Sequence, residues 1–430
     1  MTATAELTEV RLGFIPLNDC APLAIAREKG FFAAQGLDVT LAREVSWANI
    51  RDKVAVGALD GAHMLGPMPL AASLGLQGAV TAMIAPMSLS LNGAAVTASA
   101  ELMQALRRID PQGMAARPRR AGPLKQLIEA RRAEGLPSLV FATVFPFSSH
   151  NYELRYWMAE AGIDPDRDVR LVVVPPPRMA EMLRSGGVDG YCVGEPWNAL
   201  SVQDGVGEIL IGSHEIWGAK PDKVFGVTAQ WALRHPATLQ AILRALLGAS
   251  SWLAQDANRD EAARILSSPA YVDAPEAVIR QSILGSPAYA PGDAPGIDPD
   301  FTVFSRYAAA FPWVSHALWF LSQMLRWGQI ADPLDLQATA RAVYRPDLYR
   351  SAAAQLGLSA PLVDAKSEGV HASGWSLEGS AGPIAMRPDR FLDERVFDPD
   401  RPLDYLKGFS LDRIKPSLAV LAAIAAGPSD

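Results

Sequence analysis

Val10-Arg-Leu-Gly-Phe-Ile-Pro-Leu17, Leu37-Asp-Val-Thr-Leu-Ala-Arg-Glu44 and Gly61-Ala-His-Met64 are three short apolar runs separated by segments long enough for one helix each. Between the first two, Ala21 to Phe32 carries apolar residues at helical spacing (Leu23, Ile25, Ala26, Phe31) and stops at Gly36. Trp47 to Val56 fills the second gap as another helix, and Leu59-Asp60-Gly61 turns the chain into the third run. Strand and helix alternating in this way predict an open parallel sheet. Ligands of such sheets sit beyond the carboxyl ends of the strands, beside helix N-termini.

Working outward, the same rhythm returns. Ser138 to Val144, Val169 to Val174 and Val188 to Val193 read as strands, with helices over His150 to Ala161 and Arg178 to Ser185 between them. Two α/β lobes of similar plan follow. The chain of 430 residues is also too long for one ordinary core. The segments Glu208 to Ser213 and Val224 to Ala229 lead back to the first lobe, and the chain then turns helical over Pro236 to Gln255, Arg259 to Leu266, Pro275 to Leu284 and Ser315 to Arg326. The expected division is lobe 1 from 8–96 and 213–358, lobe 2 from 97–212, and a tail over 359–430 that wraps the surface. Within that tail, only Leu403 to Ala426 reads as clearly ordered.

Composition removes several classes of function. A net charge of −7 supplies no positive field for a nucleic-acid backbone. The basic stretch Arg117-Pro-Arg-Arg-Ala-Gly-Pro-Leu-Lys125 is broken by two prolines and a glycine, and reads as a solvated loop. No apolar run is long enough to span a membrane. The start of the chain has neither a basic nor an apolar leader region, so a cytoplasmic location is expected, or a periplasmic one if a signal peptide has been removed. Cys20 and Cys192 lack metal-type spacing and are expected to be reduced and buried. There is no Gly-x-Ser-x-Gly elbow, no phosphate-cradling Gly-rich loop and no ligand-spaced histidine set, so neither an enzyme nor a cofactor or metal is expected.

What remains are unusual side chains where strands end and helices begin. Trp47 opens a helix after Ser46, either to pack between lobes or to face a ligand. His150 stands at the start of its helix, where the ring and free backbone N–H groups can meet an anion or the ring can bond a neighbouring carbonyl. Lys223, in Lys220-Pro-Asp-Lys223-Val-Phe-Gly, reads from composition as a surface lysine, although it could also reach into a cleft. Glu195-Pro-Trp197 reads as hinge or cleft wall.

Taken in order, these pieces resemble the nitrate/bicarbonate substrate-binding family of ABC transporters, and in layout the cytoplasmic NasS-type nitrate sensors. The resemblance runs through Leu12-Gly-Phe-Ile-Pro-Leu-Asn-Asp-Cys-Ala-Pro-Leu23, Glu28-Lys-Gly-Phe-Phe32, Ser46-Trp47, Asp60-Gly-Ala-His-Met64 and Pro67-Met-Pro69. It continues through Arg155-Tyr-Trp157, Val173-Val-Pro-Pro-Pro177, Gly194-Glu-Pro-Trp-Asn198, Ser315-His-Ala-Leu-Trp-Phe-Leu321 and Phe397-Asp-Pro-Asp400. It implies a two-lobed, periplasmic-binding-protein-like fold of type II that closes on its ligand. It also implies a nitrate site at Trp47, His150 and Lys223. The bicarbonate branch has an acidic residue and calcium where this chain has Lys223, so nitrate or nitrite is the expected ligand. A glutamine of the transporter branch corresponds to Ala94, with Asn92 as the nearest substitute donor.

Two roles fit this resemblance. As a cytoplasmic sensor, the protein would hold a NasT-like RNA-binding antiterminator and release it when nitrate binds, without touching nucleic acid itself. As a transporter component, it would deliver nitrate to an ABC permease. With no leader region in view, the sensor is the favoured expectation.

Overall fold

The computed structural model describes residues 4–76 and 78–426. Its strands, in chain order, begin with β1 (Glu9–Phe14), β2 (Asp38–Arg43), β3 (Gly61–Leu65), β4 (Met83–Ser88) and β5 (Leu91–Asn92). Next come β6 (Ala94–Ser99), β7 (Val140–Thr143), β8 (Arg170–Val173), β9 (Gly190–Gly194) and β10 (Gly207–Gly212), before β11 (Lys223–Thr228) and β12 (Thr302–Val303). One five-stranded sheet has the order β2-β1-β3-β11-β4 and the other β10-β6-β9-β7-β8.

The two sheets share one plan. In each, a β-α-β-α-β unit gives three parallel strands, β1 with β2 and β3, and β7 with β8 and β9. The fourth strand of each arrives from the other sheet and runs antiparallel to its neighbours: β11 between β3 and β4, β6 between β9 and β10. The alternation read from the sequence therefore gives two lobes that exchange strands.

Two crossovers join the lobes. Leu91 bridges Pro221, and the Asn92 N–H donates to the Lys220 carbonyl at 2.8 Å, so the two connections run side by side. The lobes are closed on each other. The Asn18 N–H in the turn after β1 donates to the Glu195 carbonyl after β9 at 2.8 Å, and the Trp197 indole donates to the Pro16 carbonyl at 3.0 Å.

Gly13 shows how the site is positioned. A Cβ there would come within 2.6 Å of a Leu59 methyl and 2.9 Å of an Ile50 methyl, so glycine lets the helix Trp47–Ala55 lie close to β1 without displacing these side chains. Ser46 caps that helix by accepting the Asn49 N–H, which fixes Trp47 at its first turn. Beyond β11 the helices Pro236–Leu253, Asp256–Ser267, Glu276–Ile283 and Val314–Arg326 lie within a few residues of their sequence expectation. The sequence reading does not include three more, Ala229–Arg234, Leu336–Val343 and Pro346–Gln355. Among the described residues, no helix is long and apolar enough to cross a membrane.

The last segment departs from the expectation of a surface wrap ordered only near its end. Trp375–Leu377 and Ile384–Met386 pair as a hairpin, and Phe391, Phe397 and Glu368 are buried. Phe391 stacks on Trp217 at 4.6 Å, while the Leu392 N–H donates to the Ile216 carbonyl and the Gly218 N–H to the Arg390 carbonyl. This part of the tail is thus packed into the second crossover. The basic stretch after Ala116 also differs from a solvated loop. Arg117 pairs with Glu215 at 2.8 Å and lies over the Tyr289 ring, and Arg119 donates to the Ile209 carbonyl at 3.0 Å. Both thiols are buried and free.

Candidate functional site

The side chains singled out at Trp47, His150 and Lys223 meet between the lobes, and all three are essentially inaccessible to solvent. Trp47 comes from lobe 1. His150 belongs to the helix Ser149–Glu160 of lobe 2, where Ser148 accepts the Asn151 N–H and so fixes the start of the helix. Lys223 opens β11, immediately after the second crossover.

Lys223 is not the surface lysine that composition suggested. Its Nζ lies 2.7 Å from Asp19 Oδ2, 2.8 Å from Asp222 Oδ2 and 5.7 Å from the centre of the Trp47 ring. Two carboxylates and an aromatic face compensate its burial, and without them a buried ammonium would be very costly. His150 Nε2 is 3.7 Å from Asp222 Oδ1. Both ring nitrogens of His150 and the indole nitrogen of Trp47 are buried without a hydrogen-bond partner. Native structures leave few such groups unpaired, so an indole N–H and an imidazole N–H beside one buried ammonium suit a small acceptor-rich ligand.

The sequence reading missed the residues that complete this cluster. Asp19, in the turn after β1, also lies 2.8 Å from Nε2 of His63, which packs 5.3 Å from Trp47. Glu153, one turn beyond His150, pairs with Lys220 at 2.8 Å, and the Ser149 hydroxyl donates to Asp222 at 2.6 Å. One signal was available: His150 and Glu153 lie three apart on a helix and therefore share a face. Similarly, Asp222 stands between two lysines in sequence.

Electrostatics follow from this enclosure. Burial, reinforced by Lys223 and Lys220 against the single opposing Asp222, holds the His150 ring well below the ordinary histidine range. The imidazole is therefore neutral. Burial alone would raise the Asp222 carboxyl, yet Lys220 and Lys223 outweigh it and hold that group well below the usual carboxylate range. At Glu153 burial prevails over Lys220 and pushes the carboxyl up.

Asn92 and Ala94 are placed differently. The Asn92 amide donates to the Asp300 carbonyl at 2.8 Å and accepts the Lys220 N–H at 3.2 Å, so this side chain ties the crossovers and is not a free donor. Its backbone is left-handed at φ 63°, a conformation asparagine tolerates better than most residues. Ala94 pairs in register with Gly194, which borders the cluster: a Cβ on Gly194 would lie 3.3 Å from Asp19 Oδ2 and 3.6 Å from His150 Nε2. Among the described residues, no group of three or more His, Cys, Asp or Glu side chains is arranged to hold a metal ion.

Residues 3–267 match the model of the NMT1-like family. The chain is 34% identical over 422 residues to the nitrate/nitrite binding protein NrtA of Synechococcus elongatus, covering 95% of this chain and 88% of that protein. It is 35% identical over 416 residues to the nitrate import ATP-binding protein NrtC of Synechocystis, but spans only 56% of that longer relative. The crystal structure of the periplasmic nitrate-binding protein NrtA from Synechocystis PCC 6803 superposes with a TM-score of 0.83 at 30% identity, covering 95% of this chain and all of that one. On the family match and the near end-to-end relationship to NrtA, the chain belongs to the NMT1-like family, among the nitrate/bicarbonate substrate-binding proteins of ABC transporters.

Proposed function

We propose that this protein binds nitrate or nitrite between its lobes and serves as the substrate-binding component of an ABC import system. The observation that carries the reading is the convergence of Lys223, His150 and Trp47, three buried donors from separate segments, two of them without hydrogen-bond partners. A planar monoanion with acceptors on every side satisfies such donors, and a charged acceptor strengthens each bond. The Trp47 ring adds a flat wall. The relatives named for nitrate binding and nitrate import favour delivery to a permease over the antiterminator-holding sensor expected from the sequence.

The test is calorimetric titration of the purified protein with sodium nitrate, nitrite, bicarbonate and chloride, with binding expected for nitrate and nitrite only. A melting-temperature shift measured in parallel should agree, because ligand at a hundred times its dissociation constant adds about 2.7 kcal/mol of stability. Heat from bicarbonate and none from nitrate would reassign the site to the other branch of the family. A pull-down in which nitrate releases an RNA-binding partner would restore the sensor role.

A further inference from the structure

The site as folded has no surplus positive charge to offer a bare anion. Around His150 stand Lys220, Asp222 and Lys223 from the second crossover and β11, Glu153 on its own helix, Asp19 and His63 from lobe 1, and the Cys192 thiol on β9. Two ammonium groups thus face three carboxyls, all of them buried. Lys223 already touches two of those carboxylates, at 2.7 and 2.8 Å. Adding another negative charge in low dielectric is unfavourable unless something compensates it.

One group is placed to compensate. Nδ1 of His63 accepts the Ile15 N–H at 3.4 Å, which puts the ring proton on Nε2, facing Asp19 at 2.8 Å; that ring is committed. Glu153 is held by Lys220. The His150 ring has two unbonded nitrogens, and its Nε2 lies on the side of Gly194 that also faces Asp19. An anion beside it would oppose the two lysines that now disfavour its protonation.

We propose that the anion enters together with one proton, which settles on His150, so that the bound anion lies between an imidazolium and the Lys223 ammonium. This deepens the nitrate reading above and rests on it. The neutral imidazole gains the proton from solvent, its N–H then donates to the anion, and no bond is broken elsewhere. Burial and the lysines keep His150 neutral before the anion arrives. Linkage then requires the affinity to fall about tenfold for each pH unit of alkalinity, over the range in which free protein is unprotonated and complex protonated.

The experiment is a calorimetric titration with sodium nitrate between pH 6 and 9, in buffers of different ionisation enthalpy, whose slope counts protons. Uptake approaching one proton per nitrate is expected in the native chain, and loss of that uptake with weaker binding in His150→Asn, which keeps one N–H donor. Spectra of the unsubstituted protein labelled with nitrogen-15 in its histidines give a check independent of any variant. One of the six rings should move from the neutral to the imidazolium shift on adding nitrate. Nitrate binding without proton uptake at any pH would overturn the proposal and leave the nitrate reading standing. Uptake that survives in His150→Asn but vanishes in Glu153→Gln would overturn the assignment to His150. Absence of nitrate binding in the native chain would defeat the reading beneath, and the proposal with it.

Discussion

Two clusters of buried charge border the second crossover, and they resolve burial differently. The tail cluster joins Lys366 to Glu368, with His316 3.5 Å from Glu368 and His371 3.0 Å from Asp389. Its carboxylates are fully used: Glu368 accepts from the Ser315 hydroxyl and Lys366, and Asp389 from the His371 backbone and ring. The cleft cluster has more charge and fewer directional bonds. Lys223 is gripped by two carboxylates while Trp47 and His150 keep free donors. Buried charge alone therefore does not mark a site. Nor do unpartnered donors alone, since both His316 ring nitrogens and the neighbouring Trp217 indole also lack partners; what sets the cleft apart is that its open donors, Trp47 and His150, come from separate lobes and flank the Lys223 ammonium.

The sharpest way to break this contrast is to remove each lysine in turn. Lys223→Ala strands Asp19 and Asp222 and is expected to cost about 3–5 kcal/mol of stability, and nitrate affinity about a hundredfold or more. Lys366→Ala should cost a comparable amount of stability and leave the nitrate dissociation constant within about twofold, because it lies outside the cleft. Urea denaturation and calorimetry on both variants decide the matter. Equal losses of affinity would merge the clusters into one functional unit.

The pH dependence of stability separates them next. Burial raises the Glu368 carboxyl from 4.5 to about 7. A raised carboxyl keeps its proton in the folded state, so its contribution is fully present below about pH 4.5 and is lost as pH rises through 7. Glu195, raised by burial to about 7 as well, adds the same slope. Glu368→Gln should flatten the fall in unfolding free energy between pH 5 and 8, by up to about 3 kcal/mol. The cleft holds both signs: Glu153, also pushed up by burial, shares the slope of Glu368, whereas the depressed Asp222 carboxyl stabilises at neutral pH and loses that stability only as strongly acidic pH is approached.

The contrast also explains what was legible in the sequence. The β-α-β rhythm is written in local apolar runs, so both sheets and most of the helices after β11 could be read directly. Lys223 could not be read as buried from its own neighbourhood, since one of its carboxylates comes from Asp19 near the other end of the first half of the chain. The resemblance carries its expected role, while no local pattern pointed to Asp19, Glu153 and Lys220 as a cluster. Asn92 is expected as a donor only because it is the nearest amide to Ala94, which stands where the resembling family has a glutamine. Its left-handed backbone and its two backbone partners instead make it a tie between crossovers. Trp217 on Phe391 joins distant segments by stacking, which no local pattern records.

Asn92→Ala tests that tie with a smaller effect. It leaves the Asp300 carbonyl and Lys220 N–H without their partner, and about 2 kcal/mol of stability should be lost, with less than tenfold change in nitrate affinity. A larger loss of affinity than of stability would return Asn92 to the ligand.

The smallest change in stability should come from Gly194→Ala, and it is the finest probe of where the anion lies. The added Cβ would sit 3.3 Å from Asp19 Oδ2 and Leu17 Cδ2 and 3.6 Å from His150 Nε2, close contacts that slight movement relieves. Gly194 ends β9 without a positive φ, so alanine brings no left-handed strain. A loss of under about 1 kcal/mol is expected from the crowding. If the anion occupies the space between Asp19 and His150, the methyl group reduces that space, and nitrate affinity should fall about tenfold while the larger anions lose more. Unchanged affinity in a variant of native stability would move the anion to the Trp47 side of Lys223, where the indole N–H would be its main neutral donor.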